Sequence, residues 1–122
     1  MLKTIKRGRI HSEFMMNVFP KQKPTGIDLG NIEIKESTNG FNRIVVCKKD
    51  MNPKIDYFLC YNHQNFEFLI VDSQDIPRVK GKTRSVYWNY LKSMAILQTQ
   101  DYDVIWNKIE ELSTFKELVL ID

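Results

Sequence analysis

The segment Asp28–Lys35, Asp-Leu-Gly-Asn-Ile-Glu-Ile-Lys, contains the residues whose types and spacing best suit catalysis in this chain. Side chains two positions apart on a strand point to the same face, so Glu33 and Lys35 would share one face. The Gly-Asn pair at 30–31 tolerates a tight turn, which would bring Asp28 back beside Glu33. Two carboxylates and an amine gathered there suit Mg²⁺-dependent phosphodiester hydrolysis. The carboxylates would bind the hard cation, and the amine would orient water and offset phosphate charge.

This motif also has an ordinary explanation. Charged residues make up 27% of the chain, so about one Glu-x-Lys match is expected by chance, and the chain contains one. A strand face carrying Glu33 and Lys35 is commonly just a solvated face. The chemical interpretation therefore depends on the elements around the motif.

Strand patterns dominate the middle of the chain. Runs rich in β-branched and aromatic residues predict strands over Asn31–Ser37, Arg43–Lys48, Asp56–Tyr61 and Phe66–Asp72. Thr38-Asn39-Gly40 favours a hairpin between the first two strands. The polar residues 62–65 would join the last two.

Helical patterns flank these strands. A short helix is predicted over about Gly8–Phe19, and apolar residues at helical spacing predict further helices over Ser85–Leu97 and Asp103–Leu112. The tail Phe115–Ile121 suits either a short strand or irregular packing. The order predicts one α+β domain spanning 1–122, with a central mixed sheet of about five strands flanked by helices.

Charge and cysteine usage narrow the function classes. The net charge of +3 is mild, which argues against an overall basic coat for nucleic acid. Basic residues nevertheless cluster in two short segments, which are Lys3, Lys6, Arg7 and Arg9, and Arg78, Lys80, Lys82 and Arg84. Cys47 and Cys60 do not make a disulfide framework, and with His11 and His63 they lack zinc-site spacing. No stretch predicts a signal peptide or membrane span, so the cytoplasm is the expected compartment.

The element order and the motif together resemble the PD-(D/E)xK phosphodiesterase superfamily, which has the restriction-endonuclease-like fold. In that family one strand supplies an Asp and the next supplies Glu-x-Lys, which match Asp28, Glu33 and Lys35. Ile27 stands where the family name has Pro. Glu13 matches the acidic residue that the family carries on a leading helix. The resemblance covers roughly residues 8–97, and its motif is short and degenerate.

The resemblance implies a Mg²⁺-dependent DNA endonuclease, with Mn²⁺ as a substitute cation. Asp28 and Glu33 would hold the metal with the Ile34 carbonyl and the scissile phosphate, with Glu13 as a further candidate ligand. Lys35 would position the attacking water, and the products would carry 5′-phosphate and 3′-hydroxyl ends. One site per chain favours a homodimer for double-strand cutting, as in restriction-type or junction-resolving enzymes, whereas a monomer suits nicking.

The basic segments provide the candidate DNA contacts. Arg78, Lys80, Lys82 and Arg84 lead into a predicted helix start, where phosphate would bind, and Lys6, Arg7 and Arg9 form a second candidate contact. A solvated loop and a frayed terminus are the corresponding ordinary interpretations.

Two functions of other classes remain open. One is a catalytically inactive nucleic-acid-binding member of the same fold, which needs the basic segments but not the carboxylate pair. The other is a protein-interaction module with Tyr87, Trp88 and Trp106 as a contact patch.

Overall fold

The structure, a computed structural model, describes residues 27–37 and 41–114. The elements of this part of the chain are β1 (Ile32–Glu36), β2 (Arg43–Cys47), β3 (Tyr57–Asn62), β4 (Glu67–Asp72), β5 (Thr83–Tyr87), α1 (Trp88–Met94), β6 (Leu97–Thr99) and α2 (Tyr102–Leu112). Short 3₁₀ turns follow β2 and β4. The predicted helix over 8–19, the turn at 38–40 and the tail from 115 lie outside the described residues.

The strands form a four-stranded mixed sheet in the order β1-β3-β4-β6, and a separate antiparallel ribbon of β2 and β5. In the larger sheet β1 runs parallel to β3, while β3, β4 and β6 are successively antiparallel. The α+β class is therefore confirmed. The expected single sheet of about five strands is replaced by four strands plus a two-stranded ribbon.

The predicted pairing of the first two strands is wrong. β1 pairs with β3, with Glu33 opposite Phe58 and Lys35 opposite Cys60, and β2 pairs with β5. The burial pattern explains the difference. β3 is apolar on both faces, as strands inside a covered sheet are, whereas β2 buries only Ile44 and Val46 completely and suits a ribbon packed on one side. The two strands predicted on either side of residues 62–65 are present as β3 and β4, and they pair antiparallel.

The predicted helix over Ser85–Leu97 is too long at both ends. Thr83–Tyr87 forms β5, where Val86 faces the core opposite Ile44, and only Trp88–Met94 is helical. After α1 the chain pairs with β4, beginning with the bond from Ile96 N to the Ile70 carbonyl at 2.8 Å. Strand pairing thus overrides the helical spacing of the apolar residues. The helix predicted over Asp103–Leu112 is confirmed as α2, and Asp101 caps its N-terminus by accepting from Asp103 N and Val104 N.

Both faces of the four-stranded sheet are covered. One face packs against α2 through a cluster that includes Ile34, Leu59, Phe68, Trp106 and Ile109. The opposite face packs against the ribbon and α1 through a cluster that includes Ile44, Phe58, Leu69, Val86 and Leu91. Within the described residues no helix is long and apolar enough to cross a membrane. Because β1 alternates between these faces, its polar side chains point toward the ribbon layer.

Candidate active site

A tight turn places the first candidate residue. Leu29 and Ile32 form an antiparallel bridge, in which Leu29 N donates to the Ile32 carbonyl at 2.9 Å. The two residues between them reverse the chain, and Gly30 has φ 74°, a left-handed conformation that glycine adopts without strain. The predicted reversal at 30–31 is present, and it returns Asp28 alongside β1.

The structure brings Asp28 and Glu33 together. Asp28 N donates to Glu33 Oε1 at 3.2 Å, and Ile34 N donates to Asp28 Oδ2 at 2.9 Å. The Glu33 carboxylate therefore accepts from the backbone of Asp28 itself, and the Asp28 carboxylate accepts from the residue that follows Glu33. These two hydrogen bonds connect the two arms of the turn, and they also hold the two acidic side chains next to each other. Asp28 is half-buried, and Glu33 is only 7% exposed.

Crowding and burial alter the ionisation of Glu33. Burial, followed by the charge and hydrogen bonding of Asp28, raises the pKa of Glu33 from 4.5 to about 8, although Lys35 and the Asp28 amide act in the opposite direction. The free protein therefore keeps a proton on Glu33 at neutral pH. A cation shared by the two carboxylates would replace that proton, because positive charge favours the ionised form.

Lys35 lies on the same face of β1 as Glu33, but its ammonium group is held elsewhere. Lys35 Nζ forms an ion pair with Asp50 Oδ2 at 2.8 Å, and the same oxygen accepts from Cys47 N at 2.7 Å. The Asp50 side chain is fully buried, whereas that of Lys35 is 17% exposed. Burial alone would raise the pKa of Asp50, but the hydrogen bonds from Lys35 and Cys47 hold it below its ordinary value.

Sequence reasoning missed Asp50. The sequence pattern over Asp50–Pro53 indicates only a break between strands. In the structure, Asp50 is the buried carboxylate that forms an ion pair with Lys35 and compensates its charge. A signal was present, since β3 and β4 are continuous apolar runs. Such strands imply a sheet covered on both faces, so that a lysine on its edge strand needs a carboxylate from another element.

The Ile34 carbonyl faces the side of β1 that lies away from β3. Ile32 makes both of its backbone hydrogen bonds with Leu29, away from β3. Ile34, two residues further on, turns its N–H the same way, toward Asp28. Because the N–H and C=O of one strand residue point in the same direction, the Ile34 carbonyl lies on the side of Asp28, as the expected ligand set requires.

Comparisons with protein-family models, with curated proteins and with solved structures found no match to this chain. Function must therefore be argued from the site. In the described part of the chain, no group of three or more His, Cys, Asp or Glu side chains is arranged to hold a metal ion.

The basic segment at 78–84 is exposed but does not lead into a helix start. Arg78, Lys80, Lys82 and Arg84 are all exposed, and the chain continues directly into β5. Arg84 Nη1 donates to the Arg78 carbonyl at 2.9 Å, which closes the segment on itself. The helix-dipole argument for phosphate binding is therefore wrong. Arg78 also lines a cavity of about 420 Å³ together with Asp50, the partner of Lys35.

The proposed aromatic contact patch is wrong. Trp88 is 1% exposed and donates from Nε1 to Glu67 Oε1 at 2.8 Å, and Trp106 is 3% exposed in the core beneath α2. Of the three residues only Tyr87 is exposed. The remaining predicted site residues, Glu13, Lys6, Arg7 and Arg9, lie outside the described ranges.

Proposed function

We propose that this protein is a Mg²⁺-dependent endonuclease that hydrolyses DNA phosphodiester bonds. The observation that carries the proposal is the pairing of Asp28 with Glu33 beside a lysine on the same strand face. The restriction-endonuclease-like fold and the homodimer inferred from sequence belong to the same proposal. The described strand order, with a separate ribbon over one sheet face, leaves that family assignment resting on the motif alone.

The chain's own residues would act as follows. Asp28 and Glu33 would hold the cation, with the Ile34 carbonyl completing the protein ligands. When bound, Mg²⁺ supplies Lewis-acid charge at the phosphoryl oxygen and lowers the pKa of bound water. Lys35, which forms an ion pair with Asp50, would orient the attacking water and offset charge that develops on the phosphate.

A non-catalytic function in nucleic-acid binding is the second candidate. It is favoured by the low exposure of Glu33 and by the tight ion pair of Lys35 with Asp50, both of which a purely structural role explains. This function needs exposed basic side chains but no cation at Asp28 and Glu33. Cation binding therefore separates the two candidates.

The decisive experiment incubates the protein with plasmid, single-stranded and branched DNA in Mg²⁺ or Mn²⁺, beside Lys35→Ala. At a temperature at which circular dichroism shows the variant to be folded, we expect it to lose about 100-fold or more in cleavage rate, because it loses charge stabilisation at the phosphate. Lys54→Ala, at an exposed lysine, is the matched control and should cleave normally.

Two outcomes would count against the proposal. Cleavage at the wild-type rate by Lys35→Ala would remove Lys35 from the mechanism. Absence of both cleavage and divalent-cation binding, measured calorimetrically on the wild-type protein, would overturn the nuclease function and leave the non-catalytic one.

A further inference from the structure

The ribbon of β2 and β5, with the residues that flank it, concentrates positive charge. Residues 41–49 and 78–87 include no Asp or Glu, but they contain Arg43, Lys48, Lys49, Arg78, Lys80, Lys82 and Arg84. The whole chain has a net charge of only +3. None of these seven side chains forms an ion pair with another described residue. Within the described part of the chain, the ribbon is therefore a basic surface without ion pairs.

The outer face of the ribbon also carries exposed aromatic rings. Ile44 and Val86 face the core, so the alternate residues Arg43 and Tyr87, which pair directly across the strands, face outward. Tyr87 is 61% exposed, and Phe41, just ahead of β2, is 53% exposed. These are the two most exposed aromatic side chains in the described ranges.

Phe41, Arg43 and Tyr87 together are called the aromatic platform, and within it Arg43 is held against the Phe41 ring. Its guanidinium carbon lies 4.4 Å from the centroid of the Phe41 ring, and its Nη1 donates to Ser85 Oγ at 3.0 Å. Arg43 is thereby fixed against the Phe41 ring, while Tyr87 lies across from it on β5. A flat guanidinium held in place beside exposed rings offers a stacking surface at a low additional cost in side-chain entropy.

The basic residues extend from this platform along the ribbon. Lys48 and Lys49 follow β2 at the end where Cys47 pairs with Thr83, and Lys82 immediately precedes Thr83. The aromatic platform lies at the opposite end, where Arg43 pairs with Tyr87. An extended polyanion could therefore run the length of the ribbon, with its bases at the rings and its phosphates along the lysines.

We infer that the outer face of the β2–β5 ribbon binds single-stranded nucleic acid, with bases stacked on Phe41, Arg43 and Tyr87. Aromatic rings combined with a positively charged track recognise unpaired strands without regard to sequence, because every base has a stacking face. In a duplex the base faces are already stacked on one another, so exposed rings gain little from it. The inference names a substrate class for the proposed nuclease, namely DNA with an unpaired segment, but the binding itself requires no metal or catalysis.

The test measures fluorescence anisotropy of labelled oligonucleotides in EDTA, so that the metal site plays no part. The probes are oligo(dT), oligo(U) and a mixed-sequence duplex of equal length. We expect single strands to bind more tightly than the duplex, and the comparison of oligo(dT) with oligo(U) assigns the preferred sugar.

Three variants that leave the charge of the ribbon unchanged test whether the aromatic rings contribute to single-strand binding. Tyr87→Leu and Phe41→Leu keep apolar area but lose the rings, and each should weaken single-strand binding by about fivefold or more while duplex binding stays unchanged. Tyr87→Phe keeps the ring and should bind like the wild type. As a control, Phe66→Asn removes an exposed aromatic outside the ribbon, at a position with φ 58° that Asn tolerates, and should change nothing.

Several results would overturn the inference. These are duplex binding equal to or tighter than single-strand binding, wild-type affinity in both leucine variants, or equal competition by poly-glutamate, which would indicate an acidic protein partner. Far-UV circular dichroism and thermal melting confirm that each variant is folded. Binding in EDTA without any cleavage in Mg²⁺ would overturn the nuclease proposal alone, whereas cleavage of duplex DNA with no single-strand preference would overturn only this inference.

Discussion

At the scale of single residues, the pairing of Lys35 with Asp50 shows how a buried carboxylate is compensated by a lysine and a backbone amide. Asp50 Oδ2 accepts from both Lys35 and Cys47 N, and the other oxygen, Oδ1, is buried without a hydrogen-bond partner among the described residues. Breaking a buried ion pair by removing one partner is strongly destabilising, because the remaining charge is left uncompensated.

Asp50→Asn should therefore destabilise the protein by about 3 kcal/mol and also reduce cleavage. The stability loss is measured by urea unfolding. Asp75→Asn, at a half-buried aspartate without an ion pair among the described residues, is the control and should lie within about 0.5 kcal/mol of wild type. A fully stable Asp50→Asn protein would show that Lys35 does not need this partner.

The ionisation of Glu33 predicts a pH dependence of stability. Its pKa is about 8 when folded and near 4.5 when unfolded, so between these values the folded state binds more protons than the unfolded state. The free energy of unfolding of the metal-free protein should therefore fall as pH rises from about 5 to 8, with a slope of at most about 1.4 kcal/mol per pH unit from this group.

Urea unfolding in EDTA at pH 5, 6, 7 and 8 measures this dependence. Glu33→Gln cannot ionise, so it should flatten the curve and be more stable than wild type at pH 8. Glu110→Gln, at an exposed glutamate of α2, is the control and should leave the slope unchanged. Parallel curves for wild type and Glu33→Gln would contradict the raised pKa.

At the scale of elements, the site turn is fastened to the end of α2. Asn31 is 6% exposed, and its side chain donates to Asp56 Oδ2 and to the Leu112 carbonyl, both at 3.0 Å, and accepts from Thr114 N at 2.9 Å. Ser113 Oγ adds a bond to the Leu29 carbonyl at 2.9 Å. The turn that carries Asp28 is thus held by a helix distant in sequence.

Asn31→Ala should destabilise the protein by about 2–4 kcal/mol, because it removes three hydrogen bonds made by one buried side chain. It should also increase hydrogen exchange at the amides of Leu29 and Ile34, which report on the turn. Asn89→Ala, at an exposed position on α1, is the matched control. Unchanged exchange at these amides in Asn31→Ala would show that the turn holds itself.

At the scale of the whole molecule, the uneven charge distribution predicts how DNA affinity depends on salt. Replacing Arg78, Lys80, Lys82 and Arg84 together by Ala should weaken binding to all sequences alike. For each duplex phosphate that the variant no longer neutralises, the slope of log affinity against log salt should decrease in magnitude by roughly one. Lys108→Ala, which removes a lysine paired with Glu111 on α2, is the control and should leave the slope unchanged. An unchanged slope in the quadruple variant would identify these residues as a solvated segment.

The sequence by itself determined the local features of this protein. Glycine at position 30 and period-2 alternation in β1 were sufficient to predict the turn, the closeness of Asp28 to Glu33 and the shared face of Glu33 and Lys35. The strands β3 and β4 and the helix α2 also followed from the pattern of neighbouring residues. These features depend on contacts only a few residues apart, so short-range rules describe them.

Only the tertiary structure decided which elements meet. The parallel pairing of β1 with β3, the separate ribbon and the shortening of α1 each depend on the burial of both faces of one sheet, which brings together residues far apart in the chain. The same packing supplies Asp50 to Lys35 and buries Trp88, which the open alternative of a protein-interaction module placed on the surface. Residue periodicity shows that a side chain is on one face of its element. What covers that face is set by the packing of the whole chain, because the hydrophobic effect is non-directional and acts equally between residues far apart in the sequence.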